Sequence, residues 1–316
     1  MGNLSRALLL GAAVLLATGP AAAGPHPASG PPACGRACLI ALADRYVDAM
    51  VAKAPAGLPW AGRVRFSENS VPMMVGDGLW ATISGHSPDA IRAADPQTGQ
   101  VAWIGTVEEH GQPAFFALRL RAEGGKIAEA ETVVRRKDGP PQFGDPAAFH
   151  PDPVFDRATS ASGRVSRDRL ALPVEGYLDT LQAGDGRVLT RFAPDCARMD
   201  NGVATTDGAT AEGGVQGCET QFKARVFKPV RRVRARAVPV VDAATGVVVA
   251  TGFLDLPALT AKAAPGQGLA WTANYPYSIG FIAAFKVERG RIARIDSTSG
   301  ALPYLMPSPW TADKTR

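Results

Sequence analysis

Apolar residues at Leu39, Leu42, Ala43, Tyr46 and Met50 recur every three or four positions, and this spacing predicts an amphipathic helix over residues 38–50. The same spacing returns at Leu170, Val174, Tyr177, Leu178 and Leu181 and predicts a second helix. Elsewhere the pattern is that of strands. Phe116 to Arg121 leads through Gly124-Gly125 into Lys126 to Glu131, and Ile282 to Val287 leads through Arg289-Gly290 into Arg291 to Asp296. Both stretches read as antiparallel hairpins with alternating faces.

The two sets of elements follow one another in the same order, which points to an internal duplication. Tyr177-Leu178-Asp179 echoes Tyr46-Val47-Asp48, and an acidic residue followed by Asn lies 22 residues beyond Tyr46 (Glu68-Asn69) and 23 beyond Tyr177 (Asp200-Asn201). Asp95-Pro96-Gln97-Thr98-Gly99 then matches Asp242-Ala243-Ala244-Thr245-Gly246, a strand–turn–strand signature with glycine at the turn. In the hairpin match, Phe116 falls opposite Ile282. Prolines crowd the segment between the copies, in Gly139-Pro140-Pro141, Asp145-Pro146 and His150-Pro151-Asp152-Pro153, as in a stiff connector. The expected organisation is a first domain over 34–138, a connector over 139–160, a second domain over 161–310 and a tail over 311–316. Residues 263–274 read as an insertion in the second copy.

The N-terminus changes the picture of where the protein works. Residues 1–23 combine one cation (Arg6), an apolar run from Ala7 to Ala17 and the small-residue end Ala21-Ala22-Ala23, the features of a secretory signal peptide. The run is shorter than the roughly 20 residues that cross a bilayer core. A flexible leader follows over 24–33, and no later run approaches spanning length, so the expected product is periplasmic or extracellular with no membrane association after cleavage. Removal of 23 residues from 316 leaves 293, and loss of Arg6 takes the net charge from +5 to +4. That modest excess does not call for nucleic acid as a partner.

Four cysteines suit an oxidising compartment. Of three possible pairings, Cys34–Cys38 with Cys196–Cys218 is preferred. The second would close a loop worth roughly 3 kcal/mol. The first requires Cys34 to lie ahead of the helix, because two cysteines four apart on a regular helix are poorly placed to bond.

One helix, an acidic position on a strand, and long antiparallel strands ending in a Gly-Lys/Arg-Ile hairpin resemble the SnoaL-like / NTF2-like (cystatin-like) superfamily. Val238-Pro239-Val240-Val241-Asp242, Phe281 to Lys286 and the ending Leu302 to Trp310 are similar to exported members with two such modules. The resemblance implies an α+β fold of two tandem cones, each a curved antiparallel sheet packed on N-terminal helices, with an internal pseudo-dimer or a homodimer covering the outer sheet faces. It also implies roles for residues. Glu68 stands where ketosteroid-isomerase-like members carry a carboxylate base, and Tyr46 where a helix-borne tyrosine donates to an oxyanion; the alternative is that Glu68 caps or bridges strands at the cone rim and Tyr46 is a core residue of its helix. Tyr177 and Asp200 occupy the matching places in the second copy, although Asp200-Asn201-Gly202 also reads as a turn.

Other candidates come from the residues themselves. Among four histidines only His86 is placed to reach a pocket, His26 lying in the leader, His110 in a turn and His150 in the connector. Trp60, Phe66, Trp80, Trp103, Phe115 and Phe116 concentrate in the first copy, which reads as the better apolar site, while Trp271, Tyr275 and Tyr277 could edge the second. Arg232, Arg234 and Arg236 share one face of an alternating strand, either solvent-facing or directed at an anionic partner. Phosphate loops, dinucleotide fingerprints and zinc-spaced His/Cys sets are missing from the sequence, so neither cofactor nor metal is expected. The leading expectation is a binder of an apolar or aromatic small molecule. The rivals are a cofactor-independent isomerase, dehydratase or hydrolase using Glu68, and a non-catalytic interaction module using the basic strand.

Overall fold

The computed structural model describes residues 34–139, 141–211, 214–258 and 275–310. The expected signal peptide, the leader with His26, the whole of the 263–274 insertion with Trp271, and the tail over 311–316 lie outside the described residues. The first predicted helix is α1 (Arg36–Val51), which buries Leu39, Leu42, Ala43, Tyr46, Val47 and Met50. The second is α3 (Arg167–Ala183), which buries Leu170, Val174, Tyr177, Leu178 and Leu181. Between them run β1 (Trp60–Glu68), β2 (Val71–Met73), the one-turn helix α2 (Leu79–Thr82), β3 (Ile83–Asp95), β4 (Gln100–Glu109), β5 (Gln112–Glu123) and β6 (Lys126–Arg135). After α3 come β7 (Phe192–Asp200), β8 (Val203–Ala204), α4 (Cys218–Lys223), β9 (Arg232–Asp242), β10 (Val247–Leu256), β11 (Tyr277–Glu288) and β12 (Arg291–Leu302). No described helix is long and apolar enough to cross a membrane.

The chain is α+β, with two six-stranded sheets of identical order, β2-β1-β6-β5-β4-β3 and β8-β7-β12-β11-β10-β9. Neither is purely antiparallel as expected: β1 pairs with β6 in parallel, and β7 with β12. The four-strand meander brings its last strand back pointing the same way as the first strand of its half, so the two join side by side. Gly99 and Gly246 take positive φ, +67° and +71°, at equivalent turns, as the expected signature requires.

Register corrects the hairpin match by one residue. Gly105 pairs with Phe116 and Gly252 with Phe281, so the counterpart of Phe116 is Phe281, not Ile282. A one-residue slip exchanges the faces of a strand, and here both faces are buried. Phe116 packs on the helix side, whereas Ala117 and Ile282 lie in a third apolar cluster between the sheets. A strand covered on both sides is apolar almost continuously, so alternation cannot fix its register.

That third cluster joins Ile91, Ala93, Ala102 and Ile104 of the first sheet to Val240, Val247, Val249 and Ile282 of the second. Reciprocal polar contacts flank it. Asp242 accepts from Arg36 Nε at 2.8 Å and from the Ala94 N–H at 3.1 Å. Asp95 accepts from Arg167 Nε at 2.8 Å and from the Val241 N–H at 3.3 Å. The two aspartates and the two arginines are equivalent in the repeat, so one contact is made in both directions, as across a two-fold interface. The proline-rich segment is packed too: Phe143 and Phe149 meet Phe115 edge-on at 5.3 and 5.8 Å, and Phe155 is buried between the sheets.

Both preferred disulfides are present, Cys34–Cys38 with Cα atoms 5.3 Å apart and Cys196–Cys218 at 5.8 Å. Cys34 precedes the first residue of α1, which is what lets a pair four apart close.

Candidate functional site

In the second half a cavity of about 80 Å³ lies between α3 and its sheet. Leu181, Phe227, Leu254, Phe281, Phe285 and Ile295 form its apolar wall, and Pro141 and Gln142 of the connector close one side. Its polar end is built on β7, where alternation sets Cys196, Arg198 and Asp200 on one face. Arg198 is 4% exposed. Its Nε donates to Asp200 Oδ2 and Thr205 Oγ1, both at 2.9 Å, and its guanidinium lies 4.7 Å over the Phe227 ring. Asp200 also accepts from Ser297 Oγ at 2.6 Å and Thr205 Oγ1 at 3.0 Å. Burial raises the Tyr177 phenol above its ordinary value, while the adjacent Arg198 charge opposes the shift.

The first half fills the same space. The cross-strand pair Trp103–Leu118 corresponds to Ala250–Ala283 in the second half. Trp103, Trp80, Phe116 and Tyr46 are all buried to within 1%. Trp103 fits because Gly105 has no side chain: a Cβ there would stand 2.8 Å from its ring. An indole and an isobutyl group in one half thus become two methyl groups in the other, and a void remains.

Of the expected site residues, Tyr177 and Asp200 come together at this cavity, whereas Glu68, Tyr46, His86, Trp60, Phe66, Trp80, Trp103 and Phe116 do not line it. Glu68 Oε2 accepts from the Leu79 N–H at 2.8 Å, capping α2, and Oε1 faces Arg136 Nη2 at 3.4 Å. Tyr46 accepts from Trp80 Nε1 at 3.0 Å. Burial pushes its phenol well up, with the N–H of Trp80 opposing and the charge of Glu68 adding. His86 bridges Asp48 Oδ1 and the Ser87 carbonyl, each at 2.9 Å. Trp60 donates to the Pro55 carbonyl at 2.7 Å and Phe66 is core. The expectation that the first half holds the better cavity is therefore revised, because its aromatic residues are packing.

Sequence reasoning missed Arg198, which stands where the first half has Phe66; alternation with Asp200 was the available signal. It also misjudged Arg234, which is buried against Asp255 at 2.7 Å and is not part of a solvent-facing basic stripe. Arg236 pairs with Asp179 at 2.6 Å.

Behind the cavity, burial and then the Asp200 charge push the Asp296 carboxyl well above its usual range. Such a group binds more protons folded than unfolded, so stability falls as pH rises from its unfolded value, about 3.9, toward the folded one. Asp296→Asn should therefore raise the melting temperature at pH 7 and make no difference near pH 3, which paired thermal melts would show. Equal melting at pH 7 would refute the buried-acid assignment.

A family model described as "Domain of unknown function (DUF8021)" matches residues 163–299. No curated protein matches the chain. Among solved structures, the chain is similar to AclR, a putative hydroxylase from Streptomyces galilaeus, with 19% identity, 33% of this chain and 82% of that one covered, and a TM-score of 0.27. It is similar to a putative isomerase from Bacillus subtilis with 13% identity, coverage of 43% and 90%, and a TM-score of 0.31. A putative ketosteroid isomerase from Kribbella flavida gives 20% identity, coverage of 37% and 92%, and a TM-score of 0.27. Likeness at this level says nothing of activity in this chain.

Proposed function

We propose that this is an exported protein of two tandem NTF2-like cones, and that its second cone binds a small apolar molecule carrying one hydrogen-bonding group. The observation that carries the reading is the exchange of Leu118 for its second-half counterpart Ala283, which lines a void beside Tyr177 and Arg198. The cation of Arg198 is balanced by Asp200 at 2.9 Å, so the site favours a neutral ligand. A cavity of about 80 Å³ is below the 150 Å³ or so that accepts benzene, which limits the ligand to a few heavy atoms unless the wall moves.

Binding is better supported than acid–base catalysis. Asp200 accepts from Arg198, Thr205 and Ser297, and Glu68 is held by Leu79 and Arg136. Both oxygens of each carboxylate are already engaged by structural donors, so neither group presents a free oxygen to a substrate proton. Export is supported by the N-terminal pattern and by two disulfides.

Ala283→Leu restores the first-half residue and fills the void. It should leave melting unchanged or raise it, as cavity filling commonly adds about 0.5–2 kcal/mol, while abolishing the thermal upshift given by short aliphatic ketones and alcohols. Native mass spectrometry of the exported protein would identify a retained ligand. If no probe shifts the wild-type protein, or the variant binds as well, the reading fails.

A further inference from the structure

A second and larger cleft, of about 630 Å³, opens at the other end of the second half, between the start of α3, the β11–β12 turn and the segment before β7. Its charged lining is Arg157, Arg169, Arg191, Lys286 and Arg289 against one carboxylate, Glu288. The whole chain carries a net charge of only +5, so most of its excess is gathered here. Among the described residues, the guanidinium groups of Arg169, Arg191 and Arg289 make no hydrogen bond or ion pair. Only Arg157 reaches Glu288, at 3.6 Å.

Lys286 forms the floor. It is 2% exposed, and its ammonium donates to the Arg157 and Thr245 carbonyls at 2.8 and 2.6 Å. An ammonium has three N–H donors, so one is left without a protein partner in a buried position on the cleft wall. Its hydrogen-bond partners are neutral carbonyls, and the carboxylates whose charge reaches it are Glu288, Asp156 and Asp242.

The duplication provides an internal control. The helices match at Tyr46 and Tyr177, so Arg169 corresponds to Cys38. Ile127 and Ile292 bond to the carbonyls of Pro59 and Arg191, at 2.7 and 2.9 Å, so Arg191 corresponds to Pro59. The equivalent turns make Arg289 the counterpart of Gly124. None of the three arginines is required by the fold. Arg289 moreover holds φ at +51°, where Gly124 sits at +57°. That backbone region disfavours residues with a side chain, and strained positions of this kind collect at ligand sites.

We propose that this cleft binds a small organic anion bearing two or more acidic groups. Arg169, Arg191 and Arg289 engage the acidic groups at the rim and Lys286 one at the floor, while Val165 and Leu172, 39% and 60% exposed, contact the carbon skeleton. The volume lies within the roughly 300–1,000 Å³ of small-molecule sites. The proposal does not depend on the apolar cavity.

The test is calorimetric titration of the full mature protein at low salt with citrate, fructose 1,6-bisphosphate and sucrose octasulfate. At least one should bind saturably at one site, more weakly as salt rises, and the one bound best tells whether carboxylates, phosphates or sulfates are preferred. Arg169→Gln with Arg191→Gln should weaken binding about tenfold or more, because charge-assisted bonds are lost. Both arginines are exposed and unpaired, so melting should not change. Arg63→Gln, an exposed and unpaired arginine of the first half, and Ala283→Leu should bind like the wild type. The proposal is overturned if no probe binds, if the double variant binds as tightly, or if Arg63→Gln weakens binding equally.

Discussion

Trp103→Ala should cost the protein about 3–5 kcal/mol, the usual penalty for truncating a buried aromatic residue. The ring is fully buried, with His86 edge-on at 6.0 Å and Phe116 tilted at 5.8 Å. Its surroundings are rigid sheet and helix that cannot collapse onto the space. Gly105 already lies under the ring and offers no atoms to refill it. Equilibrium urea unfolding measures the loss, and a change below about 1 kcal/mol would mean that the first half does not pack around this residue. Trp103→Phe should cost less, since Nε1 is buried with no partner and its removal relieves a penalty of about 1–3 kcal/mol. The alanine variant should also acquire an apolar cavity in the first half and bind a second equivalent of any probe that the second half binds.

Arg234→Ala is expected to destabilise by a similar amount, about 3–5 kcal/mol, as when one partner of a buried ion pair is removed. Arg234 and Asp255 have side chains 6% and 0% exposed and meet at 2.7 Å. Ser278 donates to the other carboxylate oxygen at 2.6 Å, and the guanidinium lies 4.8 Å over Phe253. Without the arginine, the Asp255 charge is left buried with a hydroxyl for company. Arg234→Met combined with Asp255→Leu should recover most of the loss, because exchanging both charges for apolar groups removes the desolvation cost along with the attraction. Urea melts of the two variants decide the matter. A single variant within about 0.5 kcal/mol of wild type would return Arg234 to the class of surface residues.

These two sites illustrate what could be read from the chain. Helical spacing placed α1 and α3 within a few residues, since a single buried stripe leaves a strong imprint. Repeated landmarks such as Glu68-Asn69 and Asp200-Asn201 were legible because the same residue type does the same job in both halves. Asn69 and Asn201 each accept from a backbone N–H of the neighbouring strand, Val134 and Ser299, at 2.8 Å. The basic strand was misread because alternation tells which residues share a face but not what covers it. Arg234 looked like its neighbours until Asp255 was seen to lie beside it.

The candidate site was legible only in part. Tyr177 and Asp200 were found by repeat symmetry, but the richer aromatic content of the first half suggested the wrong place for the void. Aromatic residues in a sequence mark volume, and volume can line a cavity or fill it. The outcome depends on the residue across the strand, Leu118 opposite Trp103 and Ala283 opposite Ala250.

The sequence by itself determined the order of the main elements and the repeat, and it favoured the disulfide pairing that is found. These rest on local periodicity, turn chemistry and short-range spacing, which are written along one dimension. Tertiary structure decided the parallel pairing of β1 with β6, the one-residue register of β11, the burial of Arg198 and Arg234, and the gathering of Arg157, Arg169, Arg191, Lys286 and Arg289 around one cleft. Each of these depends on which distant residues meet, and in strands buried on both faces nearly every position is apolar, so the sequence pattern holds too little contrast to specify the partners.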